Sequence, residues 1–281
     1  MKRMVVIGGT LLTVFAWQAR PQGTQEPLAP ETTARPLAGQ LTQATIVWSS
    51  DWSSGKVQDT WSYADGNPIS LLSVEATTGL GFPPGMDRAL RVGYPLPGGA
   101  RVVAENRWAE PDIGQTLYFR THIRFAIGDA AGNLGASSHH PIEPKPGACP
   151  YDWEFLMGSA ANGTWSLYVQ HERGAGQFEL AGALEKLRTY LLEWGFTRTL
   201  DGYTTRVRID EREVTGQFRR HDGLVLDRAP ASPISAECIR ALHVGNNGPQ
   251  WTGTTRSADA IYYGGVAVCT GDWCGAWRRE E

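Results

Sequence analysis

The chain has 281 residues with 33 Gly and 17 Pro, a density of helix-interrupting residues that argues against an all-helical bundle. With 41% hydrophobic and 20% charged residues it can bury a sizeable core and is neither disordered nor membrane-embedded throughout. A formal charge of −3 shows no basic excess of the kind nucleic-acid-binding domains carry, so no nucleic acid is expected as a partner.

Lys2 and Arg3 precede an apolar run from Met4 to Trp17, too short to span a bilayer at about 20 residues but suited to a signal-peptide core. The expectation is an exported chain, secreted or periplasmic, with residues 1–16 removed after Ala16 and no membrane span in the mature protein. Residues 17–44, rich in Pro, Gln, Thr and Ala without hydrophobic periodicity, read as a flexible linker. Residues 45–281 then form one β-sandwich domain, a size that single sandwiches commonly reach.

From Thr45 onward short β-rich runs alternate with Gly, Pro, Asn and Asp. Strands are expected at 45–48, 89–94, 117–127, 153–157, 165–171, 189–197, 203–209, 239–244 and 261–269. Alternation assigns faces. Phe119, Thr121, Ile123 and Phe125 fall on one side of their strand, and Tyr118, Arg120, His122 and Arg124 on the other. By the same rule Leu192, Trp194, Val207 and Ile209 belong to the core, while Arg120, Arg124 and Glu193 face outward. Leu180, Ala183, Leu184 and Leu187 follow helical spacing, which predicts a helix over 180–187 ahead of a strand from Thr189.

Four cysteines, Cys149, Cys238, Cys269 and Cys274, suit an oxidising compartment; three pairings are open, and zinc is the competing use. Short loop closure favours a local Cys269–Cys274 bridge, leaving Cys149 for Cys238. Eleven Trp either fill the core or offer flat faces to a ligand. Arg outnumbers Lys by 22 to 4, which reflects either genome composition or an acidic ligand.

The segments IVWSSDWSSGKVQDTW, LYFRTHIRF, WSLYVQHE, TYLLEWGF, YTTRVRIDEREV, LHVGNNGP and IYYGGVAV, in that order, resemble the concanavalin A-like lectin/glucanase superfamily, most of all its polysaccharide-lyase-like branch. The resemblance covers Thr45 to about Cys269. It implies an all-β jelly roll of two antiparallel sheets, and a carbohydrate-active protein whose most concrete form is a lyase cleaving an acidic, uronate-containing polysaccharide by β-elimination. The alternatives are a non-catalytic carbohydrate-binding module and a glycoside hydrolase of the same fold, for which Asp152 and Glu154 in YDWEF would be the carboxylate pair.

A lyase needs a group to neutralise the uronate carboxylate, a base for the α-proton and an acid for the leaving oxygen. If the strands of Arg120–Arg124 and Tyr168–Gln170 are neighbours, one face collects all the parts. His122 is then the candidate base, Tyr168 the acid, and Arg120 with Gln170 the neutralising groups. Arg124, Glu193, Arg206 and Arg208 are the candidate substrate-binding residues. Each also has a plainer use on a polar sheet face. His139 and His140 sit in the loop SSHHPIEPKPG as surface residues or a metal pair. Asp51 and Asp259 are candidates for a structural calcium site, as the resemblance implies, with turn capping as the alternative. No cofactor is required.

Overall fold

The computed structural model describes residues 43–59, 61–63, 72–93, 101–105, 107–126, 137–139, 154–159, 164–171, 176–185, 187–232, 239, 241–245 and 260–278. The expected signal peptide, nearly all of the expected linker, Cys149, Cys238, His140, Asp152 and Asp259 lie outside these residues.

Among the described residues the regular structure is almost entirely β. Eight strands make one large antiparallel sheet: β1 (Thr45–Ser50), β3 (Leu72–Ala76), β4 (Arg88–Gly93), β6 (Thr116–Ala126), β11 (Thr189–Thr199), β12 (Gly202–Ile209), β13 (Arg212–Glu213) and β15 (Ala260–Thr270). Their order is β13-β12-β11-β6-β15-β4-β3, with β1 also paired to β15. A four-stranded sheet has the order β10-β9-β8-β7, from β7 (Ser137–His139), β8 (Glu154–Ser159), β9 (Thr164–His171) and β10 (Gly176–Glu185). A three-stranded sheet, β14-β5-β2, is built from β2 (Ser62–Tyr63), β5 (Arg101–Glu105) and β14 (Ala241–Gly245).

The large sheet packs on the two smaller ones through one apolar cluster. It contributes Phe119, Ile123, Phe125, Leu192, Trp194 and Val207, with Ile209 partly buried beside them. The opposing sheets contribute Leu167, Val169 and Phe178, and Val102, Leu242 and Val244. The expected core face is therefore correct in register, which matters because a slip by one residue would have inverted every assignment together. Tryptophans fill one end of this core: Trp52 stacks on Trp61 at 5.1 Å, Trp48 meets Trp61 and Trp108, and Trp108 meets Phe119 edge-on. Trp61 Nε1 donates to Ser50 Oγ at 2.9 Å and Trp108 Nε1 to the Ile239 carbonyl at 2.8 Å, whereas Trp52 Nε1 is buried without a partner.

The expected helix over 180–187 is not formed; Leu180–Glu185 belong to β10. Leu180 pairs with Leu167 and Leu184 with Trp165, so β10 advances four residues where β9 advances two. This bulge carries Ala181 and Gly182 out to solvent while Phe178 and Leu184 stay buried, and its extra residues are what imitate an i, i+4 apolar spacing. At the end of β12 the chain reverses through Asp210 and Glu211, both at positive φ (47° and 63°), the two-residue turn that suits strand twist.

Candidate functional site

The structure does not bring the expected catalytic set together. Arg120, His122 and Arg124 lie on β6 in the large sheet, on the side away from the core, whereas Tyr168 and Gln170 lie on β9 in the four-stranded sheet. Leu167 and Val169 are buried in the core between the sheets, so Tyr168 points out on the far side of the sandwich. The two strands are not neighbours, and the single groove expected from them is corrected to two separate outer faces.

The outer face of the large sheet is closed. Register aligns Ala267, Arg120, Glu193, Arg208 and Glu213 in one row across β15, β6, β11, β12 and β13. Arg120 and Glu193 keep the expected side but are 2% and 0% exposed, because the chain after β15 folds back over them. Arg120 Nε donates to the Gly265 carbonyl (3.1 Å), its terminal nitrogen donates to the carbonyls of Gly275 (3.2 Å) and Ala276, and its guanidinium sits 5.5 Å from the Trp277 ring centroid. Glu193 Oε1 accepts the Gly275 N–H at 2.7 Å, and Oε2 lies 3.4 Å from Arg208. Trp273 rests on Tyr118, with Arg206 and Arg208 at 5.3 and 5.1 Å from its ring centroid.

The expected Cys269–Cys274 disulfide pins this strap, with Cα atoms 5.5 Å apart. Gly265, at φ +54°, is required beneath it, since a Cβ there would run into Met86 and crowd Trp277 at 3.0 Å. Burial pushes the Arg120 guanidinium down to about 10 against the opposing pull of Glu193. Burial and the neighbouring Arg120 charge push the His122 imidazole down to about 3. Its Nδ1 is buried without a partner. His122 is thus a neutral, shielded imidazole, too weakly basic and too enclosed for the role of base. Arg124 is likewise committed, donating to the carbonyls of Leu80 (2.8 Å) and Leu187. Arg206 pairs with Glu213, and Arg208 also donates to the Glu211 carbonyl at 2.7 Å.

Among the described residues the outer face of the four-stranded sheet is open. Tyr168 Oη donates to Glu179 Oε1 at 3.0 Å, across paired positions of β9 and β10. Burial leads the causes that push the Tyr168 phenol up, with the Glu179 charge acting in the same direction and a bond from Ser166 opposing. Gln170 stands two positions along β9, opposite Gln177 on one side and Glu154 on the other. The segment after β13 comes alongside β10: Glu179 and Arg219 exchange both backbone N–H···O bonds, at 2.8 and 2.9 Å. The result is a groove of about 600 Å³ lined by Tyr168, Gln177, Glu179, Arg219, Arg220 and His221 among others. Arg220 is held by Asp222, and Arg219 by the carbonyls of Gly216 and Phe218. Sequence reasoning missed Arg219, Arg220 and His221. The signal was the run Arg219-Arg220-His221 before the Asp222-Gly223 turn, three cationic or ionisable side chains on a short excursion between apolar residues.

Asp51 Oδ1 accepts the Ser53 N–H at 2.9 Å, the turn-capping use. Among the described residues no three His, Cys, Asp or Glu side chains gather as metal ligands. No described helix is long and apolar enough to cross a membrane.

No family model and no curated protein matches the chain. Among solved structures, an endo-1,3-β-glucanase from Streptomyces sioyaensis superposes with a TM-score of 0.51 at 12% identity, covering 88% of this chain and 99% of that one. An alginate lyase from Chlorella virus (TM-score 0.43, 11% identity) and a family 16 glycosyl hydrolase from Mycobacterium smegmatis (0.44, 12%) each match 80% of this chain and 100% of theirs. The first similarity, with the sheet topology, shows the fold: a concanavalin A-like jelly roll of antiparallel sheets. At such identity it transfers no reaction.

Proposed function

We propose that the chain is an exported carbohydrate-active protein that binds an acidic polysaccharide on the outer face of the four-stranded sheet and cleaves it by β-elimination. The observation that carries this reading is the Tyr168–Glu179 pair, set at 3.0 Å in an open groove beside Arg219, Arg220 and His221. Arg is the side chain whose planar fork matches a carboxylate, so Arg219 and Arg220 are the groups to hold and neutralise the uronate. Neutralisation makes the α-proton removable. His221 takes that proton, the electron pair forms the C4–C5 double bond, and the C4–O bond breaks. Tyr168, kept neutral by its raised phenol, turns its hydroxyl from Glu179 to the departing oxygen and gives it the proton, Glu179 having held the phenol end in the groove. The Cys269–Cys274 disulfide fits an oxidising compartment.

The test is ultraviolet detection of unsaturated chain ends across a panel of uronate polysaccharides. Tyr168→Phe is expected to lower their formation by about 10²- to 10⁴-fold with the fold retained. Binding without any new chain ends would replace the lyase by a binding module, and saturated ends from a neutral glucan would replace it by a hydrolase.

A further inference from the structure

Beyond the groove around Tyr168 lies a second cavity of about 440 Å³, lined among others by Glu185, Arg188, Tyr190, Asp210 and Arg212. The two cavities share Ala181 and Gln217 in their linings and are therefore neighbours along β10. β10 runs past both from Gly176 to Glu185, a length of roughly 30 Å at about 3.3 Å per residue. The bulge supplies the junction: Ala181 and Gly182 are exposed there, Ala183 is partly so, and none of the three carries a side chain longer than a methyl group. A ring can pass over such a floor where any larger residue would stand as a ridge.

Charge is arranged at both ends of this trough. Arg219, Arg220 and His221 stand at one end. At the other, Arg188 lies over the Tyr190 ring, 4.6 Å from its centroid, and pairs with Asp210 at 2.7 Å. Arg212 is exposed, and its guanidinium makes no hydrogen bond or ion pair among the described residues. Of the acids nearby, Glu179 accepts from Tyr168, and Asp210 accepts from Arg188 and from the Leu191 N–H at 2.9 Å, while the exposed carboxylates of Glu185 and Glu211 point to solvent beside Arg188 and Arg212. An unengaged cation remains above a floor of small residues, well away from the Tyr168 pair.

We propose that this second cavity is a distal subsite for the same polyanionic chain, with Arg212 as its carboxylate-binding residue. The protein then holds an interior stretch of several sugars along β10, gripped by charge at both ends. This rests on the polysaccharide-binding reading above and deepens it from a site to a length.

Calorimetric titration of the intact protein with oligouronates from dimer to octamer tests it, with neutral oligosaccharides of matched length as controls. Affinity for the oligouronates is expected to rise in a second step once the oligomer is long enough to reach Arg212. Arg212→Glu should remove that step, weakening the longest oligomers by roughly three- to tenfold, the scale of an exposed charge contact and its reversal. Arg212→Lys should restore most of it, and added salt should erode it. Affinity that is flat beyond the shortest oligomer, or a rise that survives Arg212→Glu in a protein of unchanged thermal stability, overturns the distal subsite and leaves the Tyr168 groove standing. Failure of every length to bind, with Arg219→Glu also silent, overturns the binding reading and the subsite with it.

Discussion

The two outer faces of the sandwich begin from the same kind of sequence and end in opposite states. β6 alternates Tyr118, Arg120, His122, Arg124 against apolar partners, and β9 alternates Tyr168, Gln170 against Leu167 and Val169. On β6 the polar side is sealed by the strap after β15, leaving Arg120 and Glu193 almost without solvent. On β9 it stays open among the described residues, where Tyr168 meets Glu179, Ser166 and the edge segment around Arg219. Alternation reports which way a side chain points. Whether water or protein waits there depends on a distant part of the chain.

That contrast predicts a hierarchy of mutational costs. Glu193→Ala should be the most damaging, at about 3–5 kcal/mol in chemical denaturation, because it removes the buried acceptor of the Gly275 N–H, the partner of Arg208 and the negative charge that balances the buried Arg120. A result below 1 kcal/mol would mean that the strap is loosely held and the face is open after all. Replacing the Cys269–Cys274 pair by Ala and Ser should cost roughly 2 kcal/mol, as expected for so short a closed loop. Amide exchange should quicken over 271–278, while the β9 face is unaffected.

His122 supplies a pH test. Its folded value is about 3 against an ordinary 6.5, so between those limits the unfolded chain holds a proton that the folded one refuses. The stability linked to it is complete above 6.5 and falls as pH drops toward 3, with a slope of up to ~1.4 kcal/mol per pH unit. His122→Gln should remove that slope from the difference between the two proteins' pH profiles. A slope that persists undiminished would place His122 in contact with solvent. The smallest effect is expected in the groove. Arg219→Ala should change stability by under about 1 kcal/mol, as exposed side chains do, while weakening polysaccharide binding.

Most of the architecture was legible in the sequence. Phe119, Ile123, Phe125, Leu192, Trp194 and Val207 reach the core as their period-2 spacing requires. The exception in secondary structure, Leu180–Leu187, has a local cause: a bulge adds residues to one strand and changes the apparent period. The site was less legible for a different reason. Sequence spacing cannot tell which strands are neighbours, and β6 and β9 went to different sheets. Nor does it tell that Trp273, Cys274 and Trp277, beyond the last expected strand, would lie on Arg120 and Tyr118. The groove residues Arg219 and Arg220 carry no period at all; only the backbone exchange between Arg219 and Glu179 brings them to Tyr168.

The position of β15 has a consequence for how the chain assembles. The last strand in sequence is among the innermost in the large sheet, bonded to β6 along one edge and to β4 and then β1 along the other. Until it arrives, the group β6, β11, β12, β13 and the pair β3, β4 have no hydrogen bonds joining them within that sheet among the described residues. Thr45 must wait for Thr270. A chain built this way closes its longest loops last, so folding should be slow and should depend on nearly the whole domain being present. In the interval the edges of β6 and β4 are bare, which makes the half-built sheet, more than the finished one, the species prone to aggregate.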